Sequence, residues 1–248
     1  MTGTMVMADG KRALVIVPTF NERDNLPLLM AGLLEHRNVG VLVVDDQSPD
    51  GTGGVADDFA RRYPDRVDVL HRTERPGLGR SYIDGIAIAI RRPVDVICQM
   101  DADLSHDPRH LPDLIGATDH ADIVIGSRYV EGGSIVNWPK RRRLLSRFAN
   151  TYIRTVTRLS PRDCTSGYRC WRREALARLK LDGFTSDGYS FLVEMLFAAS
   201  RAGCRVAEVP ITFVERRLGK SKLSSAVLIE SAITPWRLIA TKDLARRS

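Results

Sequence analysis

Short apolar runs, each followed at once by polar or acidic residues, set the rhythm of the first half of the chain. Ala13–Val17 (ALVIV) is continuous and stopped by Pro18, the pattern of a strand buried on both faces. Val41–Val44 ends in Asp45-Asp46, Val67–Leu70 is a shorter run, Val94–Met100 ends in Asp101-Ala102-Asp103, and Ile123–Ile125 precedes Gly126-Ser127-Arg128. Between them, Leu26–Leu34, residues 53–63, Ser81–Ile90 and residues 108–117 carry apolar positions at helical spacing. Strand–helix alternation of this kind predicts a parallel, doubly wound α/β sheet. Ligands bind such sheets beyond the carboxyl ends of the strands. The polar residues after the runs, from Pro18-Thr19-Phe20-Asn21-Glu22 to Arg128, are therefore expected on one rim.

The alternation fades after residue 135. Residues 140–162 hold eight cations and no acid, with Leu144, Leu145, Phe148, Tyr152, Ile153 and Val156 at helical spacing, and predict one basic amphipathic helix. Residues 188–202 read as a helix, Arg205–Val214 as a strand, and Ser221–Ala245 as a last amphipathic helix, bent or broken near Pro235.

Composition narrows the classes. The 248 residues are 44% hydrophobic and 27% charged, enough to bury a core and unlike a disordered or fibrous chain. The net charge of +7 favours anionic partners, while only 6% aromatic residues weigh against a base-stacking nucleic-acid platform; no nucleic-acid partner is expected. Cys98, Cys164, Cys170 and Cys204 form no CxxC pair and read as free thiols of a reducing compartment. His106 and His110 are interrupted by Pro108 and lack a third ligand, which argues against zinc. No stretch reaches the ~18 apolar residues of a membrane span. The start, MTGTMVMADGKR, lacks the apolar core of a signal peptide, and residues 1–10 read as a flexible tail.

Asp101-Ala102-Asp103 places two carboxylates one residue apart where a strand leaves the core, a pattern that can hold a hard divalent cation, directly or through a phosphate. Asp45-Asp46 offers acceptors for base N–H groups or ribose hydroxyls. Neither G-x-G-x-x-G in the first turn nor a P-loop motif is present, which removes the dinucleotide and P-loop readings. A phospho-receiver reading of VLVVDD fails for want of a later Lys-Pro turn. Arg216, Arg217, Lys220 and Lys222 form a basic cluster on a Gly-containing loop, suited to clamping phosphates.

Together, and in this order, the motifs resemble those of family 2 glycosyltransferases of GT-A fold, in particular the polyprenol phosphate mannose synthases. They are Pro18–Glu22, Val44–Thr52, Gly77–Tyr82, Asp101–Pro108, Gly126–Tyr129, Asn137-Trp138-Pro139, Asp163–Arg169 and Gly219–Leu223. The resemblance runs from about Leu14 to Leu223. It implies a Rossmann-like, mostly parallel sheet flanked by helices in one catalytic domain over residues 11–215, then a basic loop and C-terminal amphipathic helix over 216–248. Carried over, Pro18, Phe20 and Glu22 would line the guanosine side of the donor, and Asp46, with Val44 and Asp45, would contact base or ribose. Asp101, Ala102 and Asp103 would hold Mg²⁺ or Mn²⁺ and the diphosphate. Arg128, Arg216 and Lys222 would face phosphates, so that their loss costs transfer more than stability. Two positions depart from the pattern. Phe20 stands where the family often has Tyr, and Ser105 where some relatives place a Gln metal ligand, so a hydroxyl or water would have to substitute.

The implied reaction is inverting transfer of mannose from GDP-mannose to a polyprenyl phosphate. A UDP-sugar-dependent glucosyl- or N-acetylhexosaminyltransferase is the alternative, and a non-catalytic nucleotide- or lipid-phosphate-binding subunit is the reading outside enzymes. A lipid acceptor implies work at an anionic membrane surface. The chain is expected to be cytoplasmic and peripheral on the cytoplasmic membrane face, alone or beside a separate membrane-embedded partner.

Overall fold

The structure, a computed structural model, describes residues 10–74, 76–184, 186, 188–215 and 225–244. The first half follows the predicted alternation. Strand β1 (Ala13–Thr19) leads to helix α1 (Leu26–Leu34), β2 (Val39–Asp45) to α2 (Thr52–Arg62), and β3 (Val67–His71) to α3 (Leu78–Ala89). Then come β4 (Val96–Gln99), α4 (Leu111–Ala117) and β5 (Ile123–Ser127). The second half adds β6 (Ser134–Val136), α5 (Lys140–Thr157), β7 (Arg169–Arg172), the short α6 (Arg173–Ala177), α7 (Gly188–Arg201), β8 (Val206–Pro210), β9 (Thr212–Val214) and α8 (Ser225–Leu244).

Seven strands form one sheet in the order β3-β2-β1-β4-β7-β5-β8, and β6 pairs with β9 in a small second sheet. All ladders of the large sheet are parallel except those of β7, which is antiparallel to both β4 and β5. Alternate side chains of the central strands feed two apolar layers. Val15, Val17, Val41 and Val43 face the layer that buries α1, α2 and α4, while Leu14, Ile16, Leu42 and Val44 face α3 and α7. Gly85 lets α3 seat on that second face: a Cβ there would lie 2.7 Å from Ile16 Cγ2 and 3.1 Å from Val44 Cγ2.

Several boundaries differ from the sequence reading, four of them with a physical reason or a consequence for the site. β1 continues through Pro18 to Thr19, because its ladder to β4 ends at Ile16 and the missing proline N–H costs no hydrogen bond. The basic helix ends at Thr157 rather than 162. Arg158 turns left-handed (φ 60°) and Pro161 follows, while Leu159 is buried. Residues 205–214 are two strands, since the chain leaves the large sheet after Pro210 and pairs with β6. α8 runs through Pro235 as one helix, packed on α5 and α7. All four cysteines are buried and free. Of the expected tail, residues 1–9 lie outside the described residues, as do Arg216 and Lys222 of the basic loop.

Candidate active site

The carboxyl ends of β1, β2, β4 and β5 deliver their loops to one rim, and the backbone there is tightly turned. Asn21, Gln47 and Leu104, in the loops after β1, β2 and β4, all have φ near 60°, a region non-glycine residues seldom occupy. Leu104, lacking a polar side chain to offset the cost, holds the turn immediately after Asp103.

The loops after β1 and β2 are sewn together. The Asn21 amide donates to Ser48 Oγ (3.1 Å), Glu22 N–H to Thr52 Oγ1 (3.0 Å), and Arg23 N–H to Asp50 Oδ2 (3.2 Å). Phe20 is exposed and Glu22 half-buried on this surface, whereas Pro18 is buried. Val44 is fully buried in the apolar layer under α3, so its side chain is not presented on the rim. Asp45 accepts from Thr19 Oγ1 (3.1 Å) and the Ser48 amide (3.3 Å). Asp46 accepts from Arg72 Nη1 and from the Gly77 amide (2.8 Å), and Arg72 also binds Asp84 (2.7 Å). Both acidic residues therefore brace the rim with their carboxylates.

Asp101 and Asp103 follow β4, with Ala102 buried between them. The Asp101 amide donates to His106 Nδ1 (3.1 Å), and Tyr82 of α3 donates its hydroxyl to Asp101 Oδ1 (3.3 Å). Asp103 Oδ1 accepts the Ser105 amide (3.1 Å). His106 is fully buried. Desolvation lowers its pKa, and because Nδ1 accepts from an amide the ring is a neutral donor at Nε2. It stacks on Tyr168 (5.0 Å between centroids) and meets the Phe213 edge at 5.7 Å.

The donor set fits a hard divalent cation. Both carboxylates supply oxygen, and Ser105 Oγ is buried with no hydrogen-bond partner among the described residues. Mg²⁺ and Mn²⁺ suit such ligands, and Mg²⁺ is commonly held by one or two carboxylates with substrate phosphates completing the shell. No group of three or more His, Cys, Asp or Glu suited to a metal exists among the described residues, so the remaining ligands would be Ser105 Oγ, water or substrate phosphate oxygens.

Beyond the Phe213 ring lies Arg128, its guanidinium carbon 5.3 Å from that ring's centre. The side chain is buried in a two-pronged pair with Asp163, Nε and Nη2 each at 2.7 Å, and Nη2 also reaches Thr165 (2.8 Å). Burial opposes both charges, but their mutual attraction outweighs it: Asp163 titrates below, and Arg128 above, its ordinary value. Arg128 is thus anchored in the fold, a role its place after β5 did not reveal.

Arg128 also heads a cleft of about 340 Å³ between α5, α7 and α8. Trp138, whose ring centre lies 5.6 Å from the Arg128 guanidinium carbon, and Arg142 line it too, while Leu145, Phe148, Ile153, Val193 and Pro235 make it largely apolar. Arg142 lies 4.0 Å over the Trp138 ring and binds Glu215 (2.6 Å) through Nη1. Among the described residues, Arg142 Nε and Trp138 Nε1 are buried donors without acceptors. Both side chains line the cleft, so two orphan donors lie in the walls of a largely apolar pocket. The sequence reading missed Arg142 and Trp138 as site residues. The Asn137-Trp138-Pro139 motif and the cation run held the signal, but not their convergence with Arg128. A second cleft, about 260 Å³, opens near Lys11, His36 and Asp119 at the other end of the sheet, with Lys11 already paired to Asp119 (2.7 Å).

Residues 14–180 match the Glycosyl transferase family 2. The chain is 47% identical over 241 residues to a polyprenol monophosphomannose synthase of Mycolicibacterium smegmatis, covering 95% of this chain and 91% of that protein. It is also 47% identical over 232 residues to an undecaprenyl-phosphate mannosyltransferase of Micrococcus luteus, covering 92% and 95%. Among solved structures, glucosyl-3-phosphoglycerate synthase from Mycobacterium tuberculosis, in complex with Mn²⁺ and UDP-glucose, superposes with a TM-score of 0.62 at 19% identity, over 90% of this chain and 76% of that one. That likeness establishes the GT-A fold. The chain belongs to glycosyl transferase family 2.

Proposed function

We propose that this protein transfers mannose from GDP-mannose to a polyprenyl phosphate, with inversion at the anomeric carbon. The observation that carries the reading is the apolar cleft headed by Arg128, Trp138 and Arg142, linked to the Asp101–Asp103 loop through Phe213 and His106. It offers an anion-binding head and an apolar channel for a lipid phosphate. The 47% identity to two enzymes named for polyprenyl-phosphate mannosylation supports the same substrates.

Asp101 and Asp103, with Ser105 adjoining, would hold Mg²⁺ or Mn²⁺, which neutralises charge developing on the leaving diphosphate. Phe20 and Glu22 would flank the nucleoside, and the braced Asp46 would read the base. Arg142 and the Trp138 N–H, with Arg128 behind them, would orient the acceptor phosphate. Arg216 and Lys222, outside the described residues, would add cationic contacts to the phosphates. A phosphate monoester has a second pKa of about 6, so the nucleophile is largely dianionic at neutral pH and needs no general base. The anomeric carbon passes through an oxocarbenium-like state as the phosphate oxygen bonds to it and the nucleoside diphosphate departs.

A donor panel tests the reading: GDP-mannose, UDP-glucose and UDP-N-acetylglucosamine, each with a short polyprenyl phosphate and Mg²⁺ or Mn²⁺. Product from GDP-mannose alone, with β-linked mannose, is expected. Product from a UDP-sugar instead would move the assignment to the alternative donor. No product from any donor would favour a binding subunit.

The acceptor also implies a surface, taken here as the cytoplasmic face of the membrane. No helix among the described residues is long and apolar enough to cross a bilayer. Leu144 and Phe148 on α5 and Ile233 and Trp236 on α8 are 58–70% exposed, beside the cations of α5. The helices are joined there by Tyr152, whose hydroxyl donates to Ala232 O (2.7 Å) and accepts from Trp236 Nε1 (2.8 Å). Apolar residues flanked by cations are the pattern of interfacial docking, with each nearby cation contributing about 1 kcal/mol on an anionic surface. Replacing Arg141, Arg143 and Arg147 with Gln should weaken binding to anionic vesicles and lower activity on long-chain acceptor, while sparing a short soluble acceptor. Docking should weaken as salt rises, because exposed charges are screened over about 8–10 Å. Salt-independent binding to neutral vesicles would instead indicate apolar insertion alone.

A further inference from the structure

The Gly77–Tyr82 motif has no part in the chemistry described so far, yet it sends one polar atom to the acidic loop. Tyr82 is fully buried on α3, its ring parallel to Phe191 (6.2 Å between centroids, 8° between planes). Its hydroxyl reaches Asp101 Oδ1 at 3.3 Å.

The position of that hydroxyl is fixed from both sides. One turn before it, a Cβ on Gly79 would lie 2.8 Å from Ser186 O. One turn after it, a Cβ on Gly85 would lie 2.7 Å from Ile16 Cγ2. α3 is therefore held in register against its neighbours, and Tyr82 with it. A carboxylate can only accept, so the phenol hydroxyl donates to Asp101. From the other side, His106 Nδ1 takes the Asp101 amide. Asp101 is thus oriented at its backbone by one buried ring and at its carboxylate by another.

We propose that Tyr82 is the positioning residue for Asp101: its hydroxyl fixes the carboxylate rotamer in which Asp101 meets a divalent cation bound with the nucleotide diphosphate. The proposal rests on the reading that Asp101 and Asp103 hold such a cation. Outer hydrogen bonds of this kind orient ligating groups, and their loss typically costs about 10–100-fold in metal affinity. Tyr82 is closed off from the surface of the rim, so removing its hydroxyl should act on the metal and leave nucleotide binding alone.

The test is Mn²⁺ titration, followed by water-proton relaxation, of the full chain and of Tyr82→Phe. Each is saturated with whichever of GDP and UDP the unaltered protein binds. The isosteric change keeps the ring stack. Mn²⁺ affinity should fall about 10-fold or more. The metal concentration for half-maximal transfer should rise in parallel, with kcat at saturating metal changed less. Nucleotide affinity without metal should stay as in the unaltered protein, which also reports that the rim is folded. Equal Mn²⁺ affinity in the two proteins would overturn the proposal. So would loss of metal-free nucleotide binding in Tyr82→Phe, which would make the tyrosine a packing residue. Failure of the unaltered protein to bind Mn²⁺ would overturn the metal reading itself, and this proposal with it.

Discussion

Asp101→Asn and Asp103→Asn should each reduce mannosyl transfer by on the order of 100-fold or more, with little change in thermal stability. Each replacement is isosteric and removes one negative charge from the loop after β4. Asp101 is about one-third exposed at its side chain. An Asn carbonyl can still accept the Tyr82 hydroxyl, and one at 103 can still accept the Ser105 amide. What would be lost is the charge proposed to hold the cation against the donor diphosphate. Single-turnover transfer at saturating metal, beside a thermal unfolding curve, separates the two effects. If the doubly substituted protein kept the unaltered rate with metal chelated, the acidic pair would have no metal role.

Arg128→Ala should unfold the protein more readily as well as slow it. The sequence alone led us to expect a cost in transfer and little in stability, on the view that Arg128 faces phosphates. The structure corrects that expectation, because Arg128 is closed onto Asp163 inside the fold. Removing one partner of a buried pair strands the other, which typically costs about 3–5 kcal/mol. For a chain of this size that corresponds to a fall in Tm of roughly 10 °C. Arg128→Met combined with Asp163→Leu should recover much of the stability, since a buried pair replaced by apolar groups of similar volume is often neutral. It should not recover transfer if Arg128 also serves the acceptor phosphate. The pair has a pH signature. The Asp163 pKa is depressed in the fold, so its contribution is present above the unfolded carboxyl value near about 4 and is lost as pH falls through the lower folded value. Denaturant midpoints between neutral and acid pH should therefore drop less steeply in the Met/Leu protein. An unchanged Tm in Arg128→Ala would mean the pair carries no stability and restore the simpler view of a phosphate ligand.

Much of the first half of this protein is legible without coordinates. A strand buried on both faces needs an unbroken apolar run, and a helix packed on one face needs apolar positions at helical spacing. Residues 13–125 obey both rules. The same rules placed Asp45, Asp46, Asp101 and Asp103 at strand ends, because a chain leaving a buried sheet must become polar at once.

The second half obeys the rules less openly. β7 is four residues, RCWR, and its buried Arg169 is satisfied by the carbonyls of Cys164, Ser166 and Leu192, so a charge in the sequence conceals a core strand. That antiparallel insertion between β4 and β5 carries residues 163–168 under the rim. It pairs Asp163 with Arg128 and sets Tyr168 against His106. The sequence by itself determined the alternation, the rim and the basic, apolar-flecked helix, since each depends on neighbours within a few turns of chain. Only the tertiary structure decided that Asp46 is a brace, that Arg128 is anchored, that Tyr82 reaches Asp101, and that Arg142 and Trp138 head a cleft. Each of those rests on contacts between separate elements, 19 positions apart for Tyr82 and Asp101 and 73 for Arg142 and Glu215, and periodicity carries no information about which distant side chains will share one small buried volume.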